Sequence, residues 1–350
     1  MKIDATILRP AALRAATMTA VLALLATPAA ADALSDFYKG KTITIIVGAD
    51  TGGGYDAQGR LMARHIGRFL PGNPNAIVQN MPGAGSLQAA NNLYNISAKD
   101  GTVFGTVQRG VLTSKITNPG GVHFELTKFN WIGNLSQETA VSLAWHTTPF
   151  KTIQDVMQKE MTVGGTGPTI DTETTPRLLN ALIGTKFKVI GGYKGTADVA
   201  IAMERGEVDG MGDWSWSNIK TRRPEFLRDG KIRLLLQSST EKLADLPDVP
   251  LAMDFVKNDT DKKVMQLFLA QKTVARPVLA PPGIPTDRVA ALRKAFVDMI
   301  HDGEFKKDAE KSKLEIDPTT GEAVEKVIHL IDATPADVGK RLAEAIEPKR

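Results

Sequence analysis

The segment G-A-D-T-G-G-G-Y-D-A, residues 48–57, holds three consecutive glycines between an apolar run and a helical pattern. Backbone N–H groups at a helix start have no acceptor within the helix, and the helix dipole adds about half a positive charge there. Glycine also lets a ligand approach the backbone closely. Such a loop can hold a negatively charged group without a charged side chain.

The sequence of residues 52–57 is compatible with four kinds of loop. The segment satisfies the dinucleotide pattern G-x-G-x-x-A, but the second strand ends in Gln79 and Asn80, where an acid for the ribose is expected. A P-loop is excluded because no Gly-Lys-Ser/Thr follows. A cradle for a small anion such as a carboxylate and a plain tight turn both remain, and the loop alone does not distinguish them.

Two further glycine-rich loops occur at equivalent places. Residues 80–86 follow the second predicted strand and open a helix, and residues 164–169 do the same later in the chain. Parallel strands place such helix starts at their carboxyl ends, where open α/β sheets bind ligands. Three entrances facing one cleft therefore favour a small-anion cradle built from a few convergent polar groups.

Strand and helix patterns alternate from residue 41 onward, which predicts parallel strands joined by crossover helices. The predicted strands lie at 42–48, 76–79, 102–107, 161–164, 186–190 and 232–237. The predicted helices lie at 56–69, 85–94, 286–312, 320–331 and 335–346. Two more are predicted, one that contains Leu178 and Leu182 and one that follows the loop beginning at 191. Thr286 and Thr334 are expected as helix caps.

These patterns predict an α/β fold of two lobes, each a mostly parallel sheet flanked by helices. The chain is expected to leave the first lobe within residues 130–150 and to return within 267–285. The resulting division is lobe 1 at 32–141 and 272–350, lobe 2 at 142–271, and a ligand cleft between them. The C-terminal helices are expected to pack on lobe 1.

The N-terminus has the pattern of a secretory signal peptide. Lys2, Arg9 and Arg14 precede an uncharged stretch that ends in small residues at 28–31. Its apolar part, residues 18–26, is shorter than the roughly 20 residues that a membrane span needs. We therefore expect cleavage after Ala31 or nearby, and export to the periplasm.

The charge and the cysteine content of the chain exclude several classes of function. The net charge of +4 includes the basic leader, so the mature chain is closer to neutral, and no basic stripe with aromatics indicates nucleic-acid binding. The absence of cysteine excludes thiolate catalysis and thiolate metal sites. No metal ligand or cofactor is predicted.

The alternative class is an exported hydrolase or other enzyme that acts on a small carboxylate. The motifs H-E-x-x-H and G-x-S-x-G are absent, and the five histidines are expected at surface or packed positions. The acids Asp171 and Glu173 are expected to be solvated. No catalytic residue is predicted, and we expect a binding protein.

Six segments, in order along nearly the whole mature chain, resemble the periplasmic solute receptors of tripartite tricarboxylate transporters, the Bug or TctC-like proteins. They are "GGGYDAQGR" (52–60), "IVQNMPGAGS" (77–86), "KDGTVFGT" (99–106), "GGYKGTADVAIAMERGEVDGMGD" (191–213), "LPDVPLAMDF" (246–255) and "LAPPGIPTDRVAALRKAF" (279–296).

The resemblance implies a two-lobed periplasmic binding fold of the type II-like Venus flytrap kind. It also implies a receptor that captures a di- or tricarboxylate or other organic acid and passes it to membrane permease subunits. We expect the receptor to be a monomer. The ligand would be held largely by main-chain amides and bridging waters. The implied contacts are Gly53, Gly54, Tyr55, Asp56, Gly83, Ala84, Gly85 and Ser86 on one side, and Thr166, Gly167, Thr169, Tyr193, Gly195, Thr196 and Asp213 on the other.

The chain departs from the family pattern at several of these positions. Tyr55 and Ser86 replace a small hydroxyl residue and a glycine, Arg109 follows the third strand, and Trp214 lies beside Asp213. Arg109 could pair with a second carboxylate of the ligand or remain a solvated surface residue. Tyr55 and Trp214 could flank an aromatic or bulky ligand or simply pack.

The two acids also leave alternatives open. Asp56 could contact the ligand or cap its helix, and capping is the preferred interpretation. Asp213 could accept a hydrogen bond from the ligand or take part in a hinge hydrogen bond.

Overall fold

The computed structural model describes residues 27–168 and 170–348. The strands are β1 (Thr42–Val47), β2 (Asn75–Asn80), β3 (Val103–Thr106), β4 (Asn130–Asn134), β5 (Ala140–Trp145), β6 (Met161–Gly164), β7 (Phe187–Ile190), β8 (Gly210–Ser215), β9 (Ile232–Ser238), β10 (Pro277–Ala280) and β11 (Thr319–Thr320).

The α-helices are α1 (Thr27–Tyr38), α2 (Gly54–His65), α3 (Leu87–Asn95), α4 (Ser114–Thr117), α5 (Ile153–Gln158), α6 (Asp171–Ile183), α7 (Thr196–Glu204), α8 (Trp216–Arg222), α9 (Pro224–Arg228), α10 (Asp259–Ala270), α11 (Thr286–His301), α12 (Gly303–Lys311), α13 (Gly321–Asp332) and α14 (Ala336–Ile346).

The strands form two mixed sheets, and the two-lobed α/β fold is confirmed. One sheet has the order β11-β4-β10-β3-β1-β2, with β1 parallel to both β2 and β3. The other has the order β7-β6-β8-β5-β9, with β6 parallel to both β7 and β8. The parallel strands bring their carboxyl ends, and hence the glycine loops, to one edge of each sheet.

Strand β1 illustrates why these sequences fold this way. Its apolar residues Ile43 and Ile45–Val47 are buried, and they occupy both faces of the strand, as expected for a parallel strand covered by helices. Ile45 and Val47 pack with Leu61 and Met62 of α2, whereas Ile46 packs in the cluster that contains the apolar side chains of α3. The two helices that follow the glycine loops are thereby fixed on opposite faces of one sheet.

Two short segments connect the lobes. The first crossing, residues 135–139, joins β4 to β5, and the second crossing, residues 271–276, joins α10 to β10. The crossings bond to each other through Glu138 N–H to Lys272 O at 2.9 Å, Ala275 N–H to Ser136 O at 3.2 Å and Leu135 N–H to Arg276 O at 3.0 Å. They lie within the predicted ranges 130–150 and 267–285.

The C-terminal helices divide between the two sheets. Helix α13 covers β4 of the first sheet, with Val324 and Ile328 in a cluster that includes Trp131. Helix α14 instead lies against α6 and α10, where Arg341 donates to Asp261 Oδ1 at 2.9 Å and to Ala181 O at 3.1 Å. Both partners fall within residues 142–271, so this helix contacts the segment predicted as lobe 2. The lobe boundaries themselves stay predictions.

Two cap predictions are wrong. Helix α11 has Pro285 as its N-cap and Thr286 as its first residue, and α14 has Pro335 as its N-cap. Thr286 therefore lies one residue after its N-cap, and Thr334 lies one residue before its N-cap. Neither threonine side chain accepts a hydrogen bond from the start of its helix.

The predicted leader lies almost entirely outside the described residues, and the predicted cleavage position after Ala31 falls within α1. Among the described helices, none has both the length and the apolar character to cross a membrane.

Candidate functional site

The first glycine loop leads from β1 into α2 and is fastened by Asp56. The buried Asp56 carboxylate accepts from Gly52 N–H at 2.8 Å, from Arg60 Nε at 3.0 Å and from Asn80 Nδ2 at 2.9 Å. Asp56 thus holds its own helix start and joins it to the end of β2. The preferred interpretation of Asp56 as the helix cap is wrong, because Gly53 is the N-cap, no side chain caps it, and Asp56 lies in the first turn.

Gly52 N–H is bonded to Asp56, so the amides of this loop that could still bind a ligand are those of Gly53 and Gly54. Gly53 is the N-cap of α2 and is exposed. Neither amide has a protein acceptor among residues 27–168 and 170–348. Both therefore offer an N–H group to a ligand at the positive end of α2.

The second glycine loop leads from β2 towards α3 and turns through successive left-handed residues. Gly83, Ala84, Gly85 and Ser86 have φ values of 137°, 47°, 63° and 74°. The first three are exposed, and their amides find no protein acceptor in the described part of the chain. Consecutive free N–H groups in such a turn form a concave anion-binding surface.

Ser86 takes a structural position at the end of this loop. Its side chain is fully buried, donates to Gly48 O at 2.5 Å and accepts from Gln108 N–H at 3.0 Å. The hydroxyl therefore ties the segment after β1 to the segment after β3 and does not face the cleft.

In the loop after β6, two backbone N–H groups donate to side chains of α6, the helix that follows the loop. Thr166 N–H donates to Thr172 Oγ1 at 3.0 Å, and Gly167 N–H donates to Glu173 Oε1 at 2.9 Å. Glu173 is buried and ion-paired with Arg177, so the expectation that it is solvated is wrong. Thr169 lies outside the described residues.

The loop after β7 keeps free amides at the start of α7. Gly195 is the N-cap, with extended backbone, and neither its N–H nor that of Thr196 has a protein acceptor in the described chain. Tyr193 is half-buried, and burial raises its pKa. Of the loops predicted on this side, the one at 193–196 offers free donors, whereas that at Thr166 and Gly167 does not.

A buried ion cluster lies where both lobes meet the crossings; it comprises Arg109, Glu138, Asp171, Asp213 and Lys272. Arg109 pairs with Asp171 and Glu138. Lys272 Nζ lies 3.0 Å from Asp171 Oδ2 and 2.8 Å from Asp213 Oδ2. Arg109 is thus an interior residue and not a solvated one. The expectation that Asp171 is solvated is wrong, because its carboxylate bridges Arg109 and Lys272.

The ion cluster holds three carboxyl groups against two cations. Burial opposes ionisation of Glu138, but Arg109, then Arg276 and Lys272, lower its pKa to about 2. The pKa of Asp171 is also lowered, because Arg109 and Lys272 outweigh its burial. Burial raises the pKa of Asp213, and the neighbouring Asp171 adds to that effect.

Asp213 is held on the hinge side of the cluster. Its carboxylate is 5% exposed, accepts from Thr175 Oγ1 at 2.7 Å and pairs with Lys272. These partners match the hinge hydrogen bond that the sequence left open as one interpretation.

The aromatic side chains predicted at the site are anchored to protein. Tyr55 Oη donates to Ala275 O at 2.9 Å and accepts from Arg109 N–H at 3.1 Å. Trp214 is 4% exposed and packs with Phe226 in the core of the second sheet, with 6.3 Å between ring centroids. Tyr55 therefore links α2 to the second crossing, and Trp214 belongs to the lobe interior.

Sequence reasoning missed the ion cluster as a unit. No motif marks Glu138 or Lys272, and the sequence pattern predicts Asp171 as a solvated acid. The available signal was the placement of one acid and one lysine in the two segments predicted to connect the lobes. Charges rarely lie in buried segments unless they are paired.

Two mixed α/β sheets, paired crossings and free amides at helix starts beside both sheets are the architecture of a two-lobed binding fold. The model of the tripartite tricarboxylate transporter family receptor matches residues 62–339. The chain therefore belongs to this family of solute receptors.

Relatives and solved structures agree with the family. A UPF0065 protein of Cupriavidus necator is 28% identical over 250 residues, which is 67% of this chain and 70% of that protein. A ligand-free TctC solute-binding protein from Polaromonas has a TM-score of 0.65 at 20% identity, covering 85% of this chain and 100% of its own. MatC from Rhodopseudomonas palustris with bound malate has a TM-score of 0.60 at 20% identity, covering 88% and 99%.

Proposed function

We propose that this protein is a periplasmic receptor for a small organic acid, and that the acid's carboxylate binds to the amides of Gly53, Gly54 and residues 83–85. The receptor would act as a monomer without a cofactor and deliver its ligand to the permease subunits of a tripartite tricarboxylate transporter. The observation that carries this proposal is the group of free N–H donors on two adjacent loops.

The charge of the ion cluster supports the amides as the carboxylate site. Arg109 already has two carboxylate partners, and the cluster has more acids than cations. A ligand carboxylate placed there would add negative charge to a buried group that lacks a matching cation, which is costly. The neutral amides and the positive ends of α2 and α7 carry no such penalty.

The second lobe would contribute the amides of Gly195 and Thr196 and the side chain of Tyr193. A ligand that contacts both lobes gains these contacts only when the cleft is closed, so ligand binding would shift the lobes towards closure. The malate bound by MatC supports a carboxylate as the ligand class. Main-chain donors recognise the carboxylate end, so the rest of the ligand would be selected by neighbouring side chains.

The proposal is tested by a thermal-shift screen with mono-, di- and tricarboxylic and aromatic acids, followed by calorimetric titration of the best acid. A ligand at 100 times its Kd should stabilise the protein by about 2.7 kcal/mol. If no acid stabilises the protein, or if the purified protein hydrolyses carboxylic esters or amides, the proposal is wrong.

The variant Gly53→Val tests the amide site itself. The backbone of Gly53 is extended at φ −79°, and a Cβ there would meet its nearest neighbour, Asp50 O, at 3.7 Å, so the fold should tolerate valine. The side chain would cover the free amides and weaken acid binding at least tenfold, about 1.4 kcal/mol. Gly303→Val is the matched control, because Gly303 opens α12 with open space around it. Equal affinities for both variants would remove this loop from the site.

A further inference from the structure

One ion pair of the cluster runs directly between elements of the two sheets. Arg109 follows β3 of the first sheet, whereas Asp171 opens α6, which lies between β6 and β7 of the second sheet along the chain. Arg109 Nε donates to Asp171 Oδ2 at 2.9 Å, and a second guanidinium nitrogen, Nη2, donates to the same oxygen. This pair therefore bonds the two lobes to each other without passing through a crossing.

The Arg109 end of this pair is fixed beside the proposed carboxylate site. The Arg109 backbone N–H donates to Tyr55 Oη at 3.1 Å, and Tyr55 directly follows Gly54, one of the free amides. The same hydroxyl donates to Ala275 O of the second crossing at 2.9 Å. The Arg109 guanidinium also pairs with Glu138 of the first crossing. The position of Arg109 is therefore coupled to the start of α2 and to both crossings.

The Asp171 end of the pair is fixed to the second sheet. Lys272 Nζ lies 3.0 Å from Asp171 Oδ2 and 2.8 Å from Asp213 Oδ2 of β8. Thr175, one turn after Asp171 in α6, donates to the same Asp213 oxygen at 2.7 Å. Burial opposes ionisation of Asp171, but Arg109 and Lys272 lower its pKa, so the carboxylate is charged near neutral pH. Asp171 is thus a charged acceptor at a set position on the second lobe.

The other ion pairs of the cluster each join one lobe to a crossing, as Arg109 does with Glu138 and Asp213 does with Lys272. Rotation of the lobes about the crossings can leave those pairs intact, whereas separation of the two sheets has to break the Arg109–Asp171 pair. The side chains of this pair are shielded from water, at 16% and 15% exposure. Charge-assisted hydrogen bonds are about twice as strong as neutral ones, and salt screens shielded pairs little. The pair therefore resists separation of the lobes.

We propose that Asp171 is a positioning residue whose ion pair with Arg109 is a latch that limits how far the lobes separate when no cargo is bound. The latch makes no contact with the cargo. Its effect on binding rests on the proposed function, in which the acid takes donors from both lobes. By keeping those donors near each other in the cargo-free protein, the latch raises the fraction of molecules that can close on the acid, and hence the affinity.

The variants Asp171→Asn and Glu138→Gln form a matched pair. Each replaces one carboxylate of the cluster by an amide of the same shape, and each changes the charge of the cluster by the same amount. In both variants Arg109 and Lys272 keep at least one carboxylate partner each, so the fold should persist. They differ in one respect: Asp171→Asn removes the ion pair between the lobes, and Glu138→Gln leaves it in place.

The measurement is the distance between spin labels on the two lobes of the cargo-free protein, together with its radius of gyration from X-ray scattering. The chain has no cysteine of its own, so Ile96→Cys after α3 and Glu204→Cys at the end of α7 give specific, exposed label positions. The parent protein and Glu138→Gln should show the same narrow distance distribution. Asp171→Asn should broaden and shift it and raise the radius of gyration. A broad distribution in the parent protein, no change in Asp171→Asn, or equal changes in both variants would overturn the proposal.

Titration with the acid that stabilises the protein most gives the second readout. Asp171→Asn should raise the Kd about fivefold or more, because closure starts from a wider separation, and Glu138→Gln should bind like the parent protein. At saturation the label distances of all three proteins should coincide, an outcome that a merely structural defect would not give. An equal rise in Kd for both variants would contradict the latch. Absence of acid binding in all three would contradict the proposed function instead, since the cargo-free distances judge the latch without any ligand.

Discussion

At the scale of single residues, Lys272 is the least exposed charged residue in the described part of the chain. Its side chain is 1% exposed and is shared by two carboxylates, Asp171 and Asp213, one from the start of α6 and one from β8. A buried charge is tolerated because it is paired, and removal of one partner leaves the others uncompensated. The second crossing is thereby anchored to the second sheet.

We expect Lys272→Met to destabilise the protein by about 3–5 kcal/mol, because two buried carboxylates lose their shared cation. The measurement is urea unfolding of both the variant and a matched control, Lys220→Met. Lys220 Nζ also lies 2.8 Å from an aspartate, Asp245, and over a ring, that of Trp216, but this pair is exposed. The control should change by less than about 1 kcal/mol. Similar losses in both would show that the ion cluster contributes no more than a surface pair.

The residues of the ion cluster could not be grouped from the sequence. Arg109, Asp171 and Lys272 are separated by dozens of positions, and each alone is compatible with a solvated surface residue. Only the fold brings them together. Even the local role of Asp56 differs from the predicted helix cap, because Gly53 is the N-cap and Asp56 bonds instead to Gly52 N–H, four positions earlier.

At the scale of elements, the close approach of α2 to β1 sets the position of the first glycine loop. A Cβ on Gly59 would lie 2.5 Å from Val47 Cγ2, well inside contact distance. Val47 is fully buried and β-branched, so it has little freedom to move. Gly59 therefore permits the helix start to lie directly beyond the end of the strand.

Gly59→Ala should destabilise the protein by about 1–2 kcal/mol even though alanine favours helix, because overpacking outweighs the gain in propensity of about 1 kcal/mol. Gly339→Ala in α14 is the control. A Cβ there would meet Ile116 at 3.5 Å, an ordinary contact, so this variant should gain stability. Both are measured by thermal unfolding, and equal gains in the two variants would contradict the account of α2.

Most strands of the parallel portions were predictable within one or two residues, since β1 and β6 are largely apolar runs that end at a glycine and β2 precedes a glycine-rich loop. The short antiparallel strands β10 and β11 were not identified as such. They have four and two residues, and their pairing depends on partners more than a hundred positions away. The distinction between free and satisfied amides was likewise hidden, because it depends on the side chains of Thr172 and Glu173.

At the scale of the whole molecule, the proposed function requires that free main-chain donors face one cleft from both lobes. The first lobe offers the amides of residues 53–54 and 83–85, and the second offers those at the start of α7. The crossings that join the lobes are only five and six residues long and are bonded to each other. We expect a hinge motion about these crossings, each of which contributes one residue, Glu138 or Lys272, to the ion cluster.

The two-lobed organisation was predictable because strand and helix alternation and the family segments extend along most of the chain. The position of α14 was not, since it packs against α6 and α10, which belong to the other predicted lobe. The amphipathic sequence pattern of a C-terminal helix indicates which of its faces is buried, but it does not indicate which element packs against that face.

The most direct test of the central claim is an amide NMR titration of glycine-labelled protein with the acid that stabilises it most. The account predicts that the N–H resonances of Gly53, Gly54, Gly83 and Gly85 move strongly at saturation, because a carboxylate becomes their acceptor. The resonance of Gly167, which already donates to Glu173, should move little. Saturation that leaves the resonances of Gly53 and Gly83 in place would contradict the account.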